Sequence, residues 1–74
     1  MTRLPRRFHL QRDEDETGTS GTGLVVEGIE FADGTVAIRW LTATTSTAIY
    51  ASIADLIAIH GHGGRTRVAW IDPA

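Results

Sequence analysis

Residues 24–41 read Leu-Val-Val-Glu-Gly-Ile-Glu-Phe-Ala-Asp-Gly-Thr-Val-Ala-Ile-Arg-Trp-Leu, two apolar-alternating runs that meet at Asp33-Gly34. Asp-Gly between such runs is a strong short-range hairpin signal, and its usual form is a two-residue type I′ turn. That turn sets Phe31 opposite Val36 and Ile29 opposite Ile38, four large apolar residues on one face. A slip of one residue would set Glu30 against Val36, so the apolar pattern selects the first register. The rest of the chain has to be built around an antiparallel sheet.

The first run has a break in phase. Leu24 and Val26 share one face under strict alternation, whereas Ile29 and Phe31 fall on the other. A bulge or bend at Gly28 would bring Leu24, Val26, Ile29 and Phe31 inside and leave Val25, Glu27 and Glu30 outside. Bends of this kind curl a small sheet toward a barrel. The second run, Thr35 to Leu41, is expected to point Val36, Ile38 and Trp40 inward and Ala37, Arg39 and Leu41 outward.

Other elements follow from the same patterns. Residues 1–7 are polar, contain Pro5, and are expected to form a flexible basic arm. Phe8 to Arg12 alternates as a first strand, with the arginines suiting a sheet edge. Residues 13–23, Asp-Glu-Asp-Glu-Thr-Gly-Thr-Ser-Gly-Thr-Gly, have no apolar residue and read as a long loop. Thr47 to Ala51 gives a short fourth strand, and Thr66 to Ile71 a fifth with Val68 and Trp70 on one face. Between them Ser52 to His60 carries helix punctuation, with Ser52 as N-cap and Asp55 three residues on. Ile53, Leu56, Ile57 and His60 make one helical stripe, and Gly61 is placed to end the helix in the left-handed conformation.

The chain has 74 residues, which implies one domain, residues 8–72 after the arm. A chain of this size buries only about 60% of its extended surface and often needs disulfides, metals or self-association. There is no cysteine, so disulfides and thiolate chemistry are excluded. A homodimer is the expected remedy, because a small sheet has edges to protect. No segment approaches the roughly 18 apolar residues of a membrane span, and no apolar run follows Arg6-Arg7 as a signal peptide would require. Membrane partners are not expected, and the cytoplasm is the expected compartment.

Charge argues against a nucleic-acid binder. The formal net charge is −2, and the four arginines of residues 1–12 are followed at once by four acids at 13–16. A nucleic-acid binder would show a basic face. All seven cations are arginine, with no lysine or asparagine, as in GC-rich genomes.

Chemistry is confined to a few weak constellations. His60 and His62 lie one residue apart and could share a metal ion with Asp55, but a zinc site wants three or four ligands and His9 is the only other imidazole. The plainer reading has His60 closing the helical stripe, where its charged form suits the helix C-terminus. A nucleophile–base–acid set from Ser46, Ser52 or Tyr50 with a histidine and Asp55 is conceivable, yet no nucleophile-elbow pattern supports it. Gly18, Gly21 and Gly23, with Ser20 and Thr22, suggest a phosphate cradle, but a strand follows where a helix is required and no lysine is present. Trp40, Tyr50 and Trp70 could form an aromatic platform, although indoles in so small a domain more often serve the core.

Ser-Gly-Thr-Gly (20–23), Glu27-Gly28, Asp33-Gly34-Thr35-Val36-Ala37, Arg39-Trp40, Ser46-Thr47, Ile59-His60-Gly61-His62-Gly63-Gly64 and Trp70-Ile71-Asp72 resemble a group of small uncharacterised proteins of actinobacteria and their phages. The resemblance covers nearly all of residues 8–72. It implies an accessory, phage-linked origin and carries no activity, cofactor or catalytic residue.

The expected fold is mainly β, a bent antiparallel sheet of about five strands with one short helix before the last. An SH3-like small barrel is the first choice and an open α+β sheet the second. The expected function is a non-enzymatic accessory module that works by protein–protein contact and needs no cofactor. One alternative is sequestration of a small anionic or nucleotide-like ligand by loops 13–23 and 60–65. Another is a His-dependent metal protein or enzyme. The residues expected to meet a ligand are His60, His62, Arg39, Arg65, Arg67, Ser20 and Thr22.

Overall fold

A computed structural model of the chain describes residues 4–12 and 23–73. Five strands are present: β1 (Arg6–Arg12), β2 (Gly23–Glu30), β3 (Val36–Trp40), β4 (Thr47–Tyr50) and β5 (Thr66–Trp70). They pair antiparallel throughout in the order β4-β3-β2-β1-β5. One helix, α1 (Ile53–His60), and a turn of 3-10 helix (His62–Gly64) connect β4 to β5. The fold is therefore mainly β, with a short helix before the last strand. Among the described residues β4 and β5 are not paired, so the sheet stays open between them. β1 begins at Arg6 and lies between β2 and β5, not at an edge as its arginines had suggested.

The central hairpin adopts the register that the apolar pattern disfavoured. Glu30 faces Val36, Ile29 faces Ala37, and Gly28 faces Ile38. The Phe31 N–H donates to the Thr35 carbonyl at 2.8 Å, and the Gly34 N–H donates to the Phe31 carbonyl at 2.9 Å. These bonds define a three-residue loop, Ala32-Asp33-Gly34, with Gly34 (φ +91°) in the left-handed position. The Asp33 carboxylate accepts from the Thr35 N–H at 2.9 Å, which also lowers its pKa. The extra loop residue moves Phe31 to the surface, where it is 41% exposed, and turns Ile29 to the opposite face from Ile38.

The bulge also lies elsewhere than expected. Leu10 faces Val26 while Gln11 faces Leu24, so Val25 is the extra residue and Gly28 pairs regularly with Phe8. Val25 is thereby only 2% exposed and Leu24 is 51% exposed, the reverse of the expected assignment. Gly28 serves space instead of bending: a Cβ there would run into the Phe8 ring.

Register partners share a face, so the inner face can be read in rows. One row runs Trp40–Val26–Leu10–Val68, the next Ala48–Ile38–Gly28–Phe8–Trp70, and a third Tyr50–Val36–Glu30–Arg6. Phe8, Leu10, Val25, Val26, Val36, Ile38 and Leu56 form the buried core, with Trp40, Ala48, Tyr50, Ile53 and Val68 packed against it. Leu56 is the contribution of α1. That helix starts as its punctuation indicates, with the Ser52 side chain accepting from the Asp55 N–H at 3.1 Å. Its end differs. Gly61 is right-handed (φ −73°) and donates to the Ile57 carbonyl, so the helical ladder gains one further bond before the chain turns. The left-handed residues are Gly63 (φ +64°) and Gly64 (φ +95°), and the Gly61 carbonyl accepts from both Gly64 and Thr66 as the chain enters β5.

Candidate functional site

His60 projects from the last turn of α1 toward the inner face. Its Nε2 lies 2.8 Å from the Tyr50 hydroxyl, and its ring stands edge-on to Trp40 (centroids 5.0 Å apart) and to Tyr50 (5.8 Å). The stripe that carries Leu56 into the core thus delivers His60 into an aromatic corner between β3, β4 and the helix. Packing and the Tyr50 hydrogen bond hold the ring in this position. Of His62 only the backbone is described, within the 3-10 turn, and Ser20 and Thr22 lie outside the described residues. Asp55 is exposed in the first turn of α1. Among the described residues no group of three histidines or carboxylates is placed to hold a metal ion.

The arginines are distributed differently. Arg39 pairs in register with Thr47 and Glu27, two positions from Ala37, on the outer face and therefore across the sheet from His60. Its guanidinium donates to the hydroxyls of Thr47 (3.1 Å) and Thr45 (3.3 Å). Arg67 pairs with Gln11 at the far side of the sheet, and Arg65 is exposed just before β5. Three strand spacings separate Arg39 from Arg67, about 14 Å. His60, Arg39, Arg65 and Arg67 therefore do not converge on one point.

What the structure does assemble is the outer face. Its central row runs Thr47–Arg39–Glu27–His9–Ala69, beside a second row of Ile49–Ala37–Ile29–Arg7. Ile71 extends the second row through a hydrogen bond to the Arg7 carbonyl. An open depression of about 450 Å³ lies here, with Ile29, Ala37 and Ile71 as apolar floor and Arg7, His9, Glu27 and Arg39 around it. No element covers this face among the described residues, since α1 packs on the other side.

The arginines of the outer face are held in place by neighbours. Asp72 accepts from the Arg7 backbone N–H (2.8 Å), from its Nε (3.0 Å) and from its Nη2 (2.8 Å). Those hydrogen bonds, the guanidinium's first, hold the Asp72 pKa down at about 2 and raise that of Arg7. Glu27 stands between His9 and Arg39 in the register, so a carboxylate lies beside a guanidinium and an imidazole along the row. On the inner face, Arg6 stacks on Trp70 with its guanidinium carbon 3.7 Å from the ring centroid, and Phe8 meets the same indole edge-on. Sequence reasoning placed Glu27, Ala37 and Arg39 on the outer face but missed its apolar floor, because its register put Ile29 inside and Glu30 outside, the reverse of what is observed. The signal that could have found it is the alternation Arg7, His9, Gln11 in β1, opposite Glu27 in β2.

The chain matches the family described as Acb5 phage protein over residues 5–72, and it belongs to that family. No curated protein and no solved structure matches it.

Proposed function

We propose that this member of the Acb5 phage protein family is a non-enzymatic accessory module that acts by binding another protein through its outer sheet face. The observation that carries the reading is the composition of that face: an apolar floor ringed by polar and charged side chains of both signs, of which Arg7 and Arg39 are anchored by hydrogen bonds. A small anion would be better served by convergent cations in an enclosed site, whereas a broad, open, mixed surface suits a protein partner. Of the candidate nucleophiles, Ser52 is spent on capping, and Tyr50, which meets His60 at 2.8 Å beside Trp40, stands in a packed aromatic corner with Asp55 exposed at the other end of α1. The strand order, the bulge in β2 and the helix between β4 and β5 support an SH3-like small barrel as the domain's type. The all-arginine cation set supports an actinobacterial host, with action in its cytoplasm.

The test is affinity capture from the host with wild type and with Ala37→Glu, which plants a charge in the middle of the floor. A partner retained stoichiometrically by the wild type, kept by Arg65→Ala and lost by a folded Ala37→Glu is the expected result. Retention by Ala37→Glu would end the assignment to this face. A second reading, capture of a nucleotide-like anion at the 60–65 turn, draws support from exposed Arg65 beside the left-handed Gly63-Gly64 backbone. It predicts calorimetric heat with nucleotides that disappears in Arg65→Ala, and absence of heat would remove it.

A further inference from the structure

The two edges of the sheet are unequal. Among the described residues β4 ends the sheet on one side, and its outward groups can be identified. The Trp40 N–H donates to the Ser46 carbonyl at 2.9 Å, so the antiparallel alternation turns the amides of Ala48 and Tyr50 toward β3. Thr47 and Ile49 then direct their N–H and C=O groups away from the sheet. Natural edges are usually guarded by charge, proline or a bulge. Residues 40–54 hold no charged residue and no proline, and Ile49 in the middle of the strand is 65% exposed. β5, the other edge, carries Arg67 and is preceded by Arg65.

We propose that two copies of this chain join through β4 about a two-fold axis. The strands run antiparallel, and Ile49 faces the partner's Ile49 across the axis. A two-fold contact sets one patch against its own copy, so any charge in the patch meets a like charge. Of the two edge strands, β4 within the uncharged 40–54 stretch avoids this, whereas pairing through β5 would bring arginines of both copies together. In the β4 arrangement the Arg39 residues of the two copies sit three strand spacings apart across the sheet and four residues apart along it, about 20 Å, beyond the roughly 8 Å screening length at physiological salt. The outward amides of Thr47 and Ile49 gain partners, each Thr47 lies opposite the partner's Ala51, and the two Ile49 side chains cover one another on the outer face. The product is one continuous sheet of ten strands with both outer faces side by side. This inference does not depend on the outer face binding a host protein.

Sedimentation of the full chain over a dilution series tests it. The expected result is twice the chain mass for wild type and a folded monomer for Ile49→Lys, which sets two charges together on the axis. Ile49→Pro removes an outward N–H without touching the ladder to β3, and is likewise expected to be monomeric. The chain has no cysteine, so Ile49→Cys gives a clean second readout that does not rely on either variant folding alone. Residues paired across a hydrogen-bonded antiparallel position have Cα atoms about 5.5 Å apart, within disulfide range, so rapid cross-linking is expected. Ile59→Cys, 60% exposed on α1, is expected to stay uncrosslinked. A monomeric wild type, a dimer that survives both Ile49 variants, or equal cross-linking at Ile59 would overturn the proposal. An assembly larger than two would replace it with head-to-tail pairing of β4 on β5.

Discussion

Asp72 fastens the end of the chain to the start of β1 through three hydrogen bonds with Arg7. Its folded pKa, about 2, lies below the ordinary carboxylate value of 3.8. The pair's contribution to stability is therefore complete above that ordinary value and is lost as pH falls through about 2. Comparing the Tm of wild type and Asp72→Asn should show a gap that is constant near neutrality and closes through this acid window. A gap that persists unchanged in acid would mean that Asp72 acts other than by its charge. At the same scale, the sequence marked His60 correctly as the end of the helical stripe. Its neighbours Trp40 and Tyr50 come from two strands whose approach to the helix no local pattern encodes.

At the level of elements, the hairpin at residues 24–41 is where local reading was both strongest and wrong in detail. Asp33-Gly34 marks the turn, but the same dipeptide serves a two-residue loop and a three-residue loop with glycine in third place, and the two differ by one residue of register. Phe8 settles the matter. Its ring lies over Gly28, which faces inward only in the observed register; the alternative would put Ile29 opposite Ile38 and leave no room for the ring. The loop form predicts a particular mutant response. Nothing lies within 4 Å of a Cβ built on Gly34, so Gly34→Ala should cost only the left-handed backbone, about 1–2 kcal/mol, with Gly34→Asn costing less. Urea unfolding at an unchanged m-value would show this, and an unperturbed Gly34→Ala midpoint would contradict the left-handed assignment. Helix α1 was legible at its start because Ser52 and Asp55 act on each other directly. Its end was not, since glycine recurs at 61, 63 and 64 and any of them could stop a helix.

For the whole molecule, one side of the sheet does nearly all the stabilising. Leu56 is fully buried among the core residues of β1, β2 and β3 and is the one residue of α1 that is. Leu56→Ala should cost about 2–5 kcal/mol, a large share of the roughly 5–15 kcal/mol that holds a domain folded. Equilibrium denaturation measures it, and a loss below about 1 kcal/mol would mean that the helix is not packed as described. The opposite side carries no such burden. Among the described residues its polar row and apolar floor stay uncovered, with the uncharged β4 edge beside them, and this is the surface proposed above for a partner.

The sequence by itself determined the number and order of the strands and helix α1, the place of the hairpin turn, the helix N-cap and the absence of any cysteine chemistry. All of these rest on interactions between residues close in the chain or on composition alone. Only the tertiary structure decided the register of the central hairpin, the position of the bulge and the sidedness of the arginines. Each depends on which distant side chain needs space or cover, as Phe8 does over Gly28. A one-residue shift in that single contact moves Ile29 from core to surface, and with it the whole outer face.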